Sequence, residues 1–174
     1  SIQSGFMTAA AKFITSFGDS VFVVLLGVLA VVLSLFKRTR KFGFSLLLSI
    51  AIGTFITNIV LKPAVLRIRP YNTLQGNPDY WSWYVGAGML SESDYSFPSG
   101  HTIASFEACT VLLLNSKLMG IPAVILAIAI AFSRMYLYVH YPTDVIFSVF
   151  AGILFGIIGN LIAKKIPLGR FGKK

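Results

Sequence analysis

Residues 143–163 read TDVIFSVFAGILFGIIGNLIA, with Asp144 the one charge among them and Lys164-Lys165 directly after. An α-helix rises about 1.5 Å per residue, so about 20 mostly apolar residues match the hydrocarbon thickness of a bilayer. The stretch is predicted to cross a membrane as one helix. Working outward, four more runs share this character: 20–36, 42–61, 99–115 and 118–138. Backbone polar groups in lipid must be bonded within a helix or around a closed barrel. These runs are too long and continuous for barrel strands. The expected fold is therefore all-α, an integral-membrane helical bundle with five spans in one domain covering 1–174.

Composition agrees. Hydrophobic residues make up 56% of the chain and charged residues 12%, against about 25% charged in a soluble domain. The net charge of +9 raises nucleic acid as a partner, but the placement of the charges excludes it. Lys37, Arg38, Arg40 and Lys41 lie between the first two spans, Lys117 between the third and fourth, and Lys164, Lys165, Arg170, Lys173 and Lys174 after the fifth. All fall on one side of an alternating path, and positive loops stay in the cytoplasm. Asp19, Asp79, Glu92, Asp94 and Asp144 fall on the other side, with the long loop 63–98, which is expected to be extracytoplasmic. The chain starts with Ser1. Because residue 1 would lie outside, a further span upstream is expected, with a cleaved signal peptide as the rival.

Residues 5–17 place Phe6, Ala10, Phe13, Ile14 and Phe17 at helical spacing, a pattern that suits a short helix lying in the membrane interface. Gly18-Asp19-Ser20 is predicted to break it and cap the next helix. Tyr71, Tyr80, Trp81, Trp83 and Tyr84 crowd the long loop, as side chains do that anchor at headgroup level or line a lipid entrance. Cys109, the one cysteine, sits in an apolar run and is expected to be a packed thiol.

Three polar clusters lie at the outer ends of the spans. They are Lys62 with Arg69-Pro70, then Pro98-Ser99-Gly100-His101, then Ser133-Arg134 with His140 and Asp144. Ionisable groups at membrane depth are costly and mark function. Lys62, Arg69 and Arg134 together supply three positive charges suited to a phosphate ester. Ser99 can cap the third span, and Gly100 lets a ligand approach the unpaired N–H groups of that helix start. His140 and Asp144 are four apart, so a carboxylate bonded to one ring nitrogen would leave the other free to attack phosphorus. His101, beside the cradle, can protonate the departing alkoxide and then take a proton from water. The surrounding cations would repel a metal ion, so neither a metal nor a cofactor is expected. Arg67 lies outside this spacing and reads as an interface cation. Glu107, two turns below His101, reads as a structural hydrogen-bonding group or as one that reads a lipid headgroup.

Taken together, these clusters resemble the three-part signature of the type 2 phosphatidic acid phosphatase superfamily, in its membrane branch. The match covers 62–144, and it looks most like the bacterial phosphatidylglycerophosphatase B-type enzymes. The resemblance implies a six-span fold whose first span is missing here. It also implies Lys62, Arg69, Ser99, Gly100 and Arg134 as phosphate-binding residues, with His140 as nucleophile, His101 as acid and Asp144 as orienter. The implied activity is metal-independent removal of phosphate from a membrane lipid, foremost phosphatidylglycerophosphate. Undecaprenyl pyrophosphate, phosphatidate or transfer to a second lipid are the alternatives. No protein partner is implied, and the implied place is the extracytoplasmic face of a bacterial plasma membrane.

Overall fold

The computed structural model describes residues 3–167. The expected runs all become helices: α1 (Gly5–Ser16), α2 (Ser20–Leu35), α3 (Arg40–Phe55), α4 (Lys62–Val65), α5 (Pro70–Thr73), α6 (Tyr80–Gly86), α7 (Gly100–Asn115), α8 (Lys117–Tyr136) and α9 (Pro142–Lys165). A π-helical turn, Ile56–Leu61, joins α3 to α4. Four stretches are long and apolar enough to cross a membrane among the described residues: Gly5–Leu35, Arg40–Thr73, Lys117–Tyr136 and Pro142–Lys165. The fifth expected span, α7, has 16 residues, as many as α2, and is not among these four stretches. It packs inside the bundle against α3, α8 and α9.

Side-chain exposure shows what solvent this surface is built for. Val21, Leu118 and Phe150 are 73%, 86% and 69% exposed, along with most large apolar side chains of α2, α8 and α9. Water would not tolerate so continuous an apolar patch. Lipid tails do, so the chain is a multi-pass membrane protein. The interior instead uses small and polar residues, as membrane bundles do where lipid offers no hydrophobic drive between helices. Ser45 Oγ donates to Asn160 Oδ1 at 3.2 Å, and Asn115 Nδ2 donates to the same oxygen at 3.2 Å. These bonds tie α3, α7 and α9 near the end where the basic loops lie.

The other end is held differently. Helix α1 packs on α8, where Thr8 Oγ1 donates to Gly86 O at 2.7 Å and pairs with the Tyr136 hydroxyl at 2.9 Å. Its outer face carries Phe6 and Phe13, 80% and 67% exposed. Asp19 stands at the N-cap of α2 but makes no capping bond, contrary to expectation; its carboxylate is drawn to His101 instead. Cys109 is buried and free, in a cluster with Phe106, Ala127 and Ala131.

Helices α2 and α3 touch through Gly43. A Cβ there would come within 2.4 Å of Ser34 N and 2.6 Å of Ala30 O. Backbone cannot give way as a side-chain tip can, and overpacking of this kind costs about 1–3 kcal/mol. Gly43→Ala is therefore expected to lower the Tm of the detergent-solubilised protein by several degrees. Gly27→Ala, with nothing within 4 Å, is expected to leave it unchanged or raise it. Equal Tm values for the two variants would contradict this packing.

Candidate active site

The site forms where four helix ends and one loop segment meet. Ser99 caps α7, its Oγ accepting from Thr102 N at 3.4 Å. Inside the helix, Ile103 N bonds Ser99 O at 3.0 Å, so the N–H groups of Gly100 and His101 point out of the helix end. The start of α7 is pinned to that of α9: Ser99 N donates to Ser148 Oγ at 2.8 Å, and Ser148 Oγ donates to Asp144 O at 2.6 Å. A Cβ on Gly100 would lie 4.0 Å from Lys62 Nζ. A cation and a helix N-terminus thus share one spot, the arrangement that favours a bound anion.

His140 lies in the turn between α8 and α9 and is buried. Its Nδ1 donates to the Ser96 carbonyl at 2.6 Å. A carbonyl can only accept, so Nδ1 carries the proton and Nε2 is left with its lone pair. Arg69 Nη1 donates to that Nε2 at 3.3 Å and to Val139 O at 2.8 Å, so the lone pair becomes free to attack when this long bond gives way. The expected direct bond from Asp144 does not form, since its Oδ2 stays 3.7 Å from Nδ1. That oxygen is already taken by Ser96 Oγ at 2.5 Å and by Tyr141 N at 3.0 Å. Asp144 therefore acts on His140 through Ser96, which it grips by the hydroxyl. Burial pushes the His140 imidazole down to about 4, the Arg134 and Arg69 charges add to this, and Asp144 opposes it.

His101 Nε2 bonds Asp19 Oδ1 at 2.7 Å. Gly18 packs on the same ring, where a Cβ would come within 2.8 Å of His101 Cδ2. The α1–α2 turn thus orients His101 as Ser96 orients His140.

The cations are not bare. Asp94 bonds Lys62 Nζ with one carboxylate oxygen and Arg69 Nη2 with the other, while Glu92 bonds Arg134 Nη2. Burial acts to raise both carboxyls, but Arg134 outweighs it at Glu92, and Lys62 and Arg69 outweigh it at Asp94, so both end below the usual carboxylate range. Arg134 Nη1 donates to Thr15 Oγ1 at 2.8 Å.

A cavity of about 370 Å³ opens beside these groups. Lys62, Arg69, Gly100, His101, His140, Glu92 and Asp94 line its polar end, and Val23, Val24, Ile50 and Ala104 its apolar end. Ser99, Arg134 and Asp144 stand behind this lining, and Glu92 lies between Arg134 and the space. Glu107 and Thr57 face the cavity from α7 and the π turn; Glu107 Oε1 and Thr57 Oγ1 have no hydrogen-bond partner among the described residues. The structural bond considered for Glu107 is therefore not made.

Arg67 departs from its reading as an interface cation. It donates to Asp144 Oδ1 at 2.6 Å and to Thr143 Oγ1 at 2.7 Å, and stacks 4.0 Å over the Tyr141 ring. Ser96, Glu92, Asp94 and Asp19 also belong to the site and were not singled out by spacing. Glu92, Asp94 and Asp19 lie on the acidic side of the charge map, Asp19 also as an expected helix cap, and Ser96 gives no signal. The chemistry open to this arrangement is transfer of a phosphoryl group to an unprotonated nitrogen beside cations that accept its charge.

The His140 state can be read directly. Nitrogen NMR of labelled protein should show the Nδ1–H tautomer at pH 7 and a midpoint near pH 4, because burial disfavours the cation. A midpoint near the ordinary 6.5, or the Nε2–H tautomer, would contradict this geometry. Ser96→Ala should raise the midpoint little, since the carbonyl remains.

The PAP2 superfamily description matches residues 42–167. A curated relative, the undecaprenyl-diphosphatase of Sulfolobus acidocaldarius, is 40% identical over 71% of this chain and 54% of its own length. The phosphatidylglycerophosphatase B of Bacillus subtilis is 32% identical over 78% of this chain and 64% of its own length. The chain thus spans between about half and two thirds of the length of these two relatives. The crystal structure of a transmembrane PAP2-type phosphatidylglycerolphosphate phosphatase from Bacillus subtilis shares the fold, with a TM-score of 0.74 at 24% identity over 98% of this chain and 82% of that one. The family match covers well over half of the chain: it belongs to the PAP2 superfamily.

Proposed function

We propose that this chain removes phosphate from a membrane lipid through a phosphohistidine on His140, without a metal ion. The observation that carries the reading is the unprotonated Nε2 of His140, turned by Ser96 toward a cavity that Lys62, Arg69 and the α7 N-terminus also line. In the first step Nε2 attacks phosphorus and the bond from phosphorus to the lipid oxygen breaks. His101, held through Nε2 by Asp19, gives a proton to the leaving alkoxide. In the second step His101 takes a proton from water, the water oxygen attacks phosphorus, and the P–N bond breaks. Inorganic phosphate leaves and His140 recovers its lone pair. Lys62, Arg69 and Gly100 stabilise the charge spread over the phosphoryl oxygens, Arg134 joins them when Glu92 moves aside, and Ser99 binds through the helix start that it caps. Asp144 holds His140 in register by way of Ser96.

Phosphatidylglycerophosphate is the first substrate. Glu107 and Thr57 are lining residues of the cavity whose unpartnered Oε1 and Oγ1 are buried, and a hydroxylated glycerol headgroup that shifts the Glu107 carboxyl off Gly53 would satisfy them; a phosphatidylglycerophosphatase B is among the relatives. The second reading is undecaprenyl pyrophosphate, favoured by the 40% identity to an undecaprenyl-diphosphatase. The basic loops at the opposite end orient the site to the extracytoplasmic face, α1 lies in the membrane interface there, and 63–98 forms the loop above it. A bacterial plasma membrane suits the lipid substrates.

The test is phosphate release by purified protein in detergent with excess chelator. Phosphatidylglycerophosphate, phosphatidate and undecaprenyl pyrophosphate are supplied in parallel. The expected result is release that His140→Ala abolishes, fastest on phosphatidylglycerophosphate. Release that survives the substitution, or that needs an added metal, would overturn the mechanism; appearance of a newly phosphorylated lipid would convert it to transfer. Glu107→Ala should lower the rate on phosphatidylglycerophosphate relative to undecaprenyl pyrophosphate by about tenfold, the worth of one buried hydrogen bond. An unchanged ratio would remove Glu107 from headgroup recognition.

A further inference from the structure

Three cations meant for a phosphate are each already bonded to a carboxylate oxygen, and both carboxylates come from one short segment. Asp94 spreads its two oxygens over Lys62 and Arg69, and Glu92 reaches Arg134. The three contacts copy what three phosphoryl oxygens would make. We propose that Asp94 and Glu92 are internal competitors for the phosphate site, displaced when a phosphate dianion binds and returning to expel it. This rests on the assignment of Lys62, Arg69 and Arg134 to phosphate binding.

Two observations make displacement mechanically simple. The cations are the inner partners and the acids the outer ones: the side chains of Lys62, Arg69 and Arg134 are 11%, 3% and 1% exposed, and those of Asp94 and Glu92 are 44% and 26%. Each carboxylate can swing toward water while its cation stays. The backbone that carries them is also fixed on both sides. The Tyr71 hydroxyl donates to Glu92 O at 3.0 Å, and Ser96 N donates to Arg67 O at 2.8 Å. Rotation of two side chains is enough, and Ser96 keeps its hold on His140 throughout.

The charges explain why such a device is useful. Lys62, Arg69 and Arg134 sum to three positive charges in a site withdrawn from water, where charge-assisted bonds are strong. Inorganic phosphate formed there would be slow to leave. Carboxylates that re-pair with the cations offset that attraction and keep each cation partnered whenever phosphate is absent, which a buried charge requires.

The experiment is calorimetric titration of inorganic phosphate into the detergent-solubilised protein, as wild type, Asp94→Asn, Glu92→Gln and the conservative Asp94→Glu. Removing a competing carboxylate should tighten phosphate binding, with Kd falling about tenfold in either amide variant, as loss of one charge-assisted bond implies, and returning toward wild type in Asp94→Glu. Each amide variant reads the proposal independently, so one that fails to fold leaves the other decisive. If the acids merely scaffold the cations, Kd will rise or stay unchanged in the amide variants, and the proposal is overturned. If wild type and variants alike bind no phosphate, the assignment of the cations falls, and the competitor role with it. Lipid hydrolysis is measured separately, so a chain that binds phosphate as described but releases none from lipids would refute the proposed activity alone.

Discussion

A charge withdrawn from water must find a partner, and this constraint organises one whole end of the molecule. Lys62, Arg69 and Arg134 are buried at the tip of an apolar bundle, where an unpaired charge would cost several kcal/mol. The segment carrying Glu92, Asp94 and Ser96 runs across that tip and answers them all. The same segment brings the Ser96 carbonyl to His140 and the Ser96 hydroxyl to Asp144. Neutralising the cations and aiming the histidine are thus one structural event. A change in the path of this loop would disturb both.

Much of the bundle was legible because a bilayer leaves so few choices. Uninterrupted apolar runs had to be helices, and each expected run is one. Ser99 capping α7 was also readable, because caps obey local rules. The signature cations and both histidines were found by spacing, and Lys62, Arg69, His101 and His140 do converge on one cavity. What spacing could not show was how they are held. The four-residue interval between His140 and Asp144 pointed to a direct bond. Asp144 instead spends its oxygens on Arg67, Ser96 and the Tyr141 N–H, and Ser96 is 48 residues away in a loop with no periodicity. Asp19 likewise looked like a helix cap, yet its carboxylate goes to His101, 82 residues on. Long-range partners of this kind leave no local trace, so the second layer of the site emerged only from the fold.

The two ends of the bundle divide the work. At the basic end, Ser45, Asn115 and Asn160 join α3, α7 and α9 through neutral hydrogen bonds. At the other end the contacts are ionic and several partners are half exposed. Small residues such as Gly43 and Gly159 let the helices approach closely. The side chains of Asp94, Glu92 and Asp19 sit at the rim, where movement is easy.

If His140 takes the phosphoryl group on Nε2 as proposed, the phosphorylated residue can be trapped. Protein mixed with a lipid phosphate is quenched in alkali, which preserves phosphohistidine, and is mapped by mass spectrometry. The account predicts phosphate on His140, and none on His101. Modification of His101 instead, or turnover with no phosphorylated histidine under conditions that trap it in a control phosphohistidine enzyme, would contradict it.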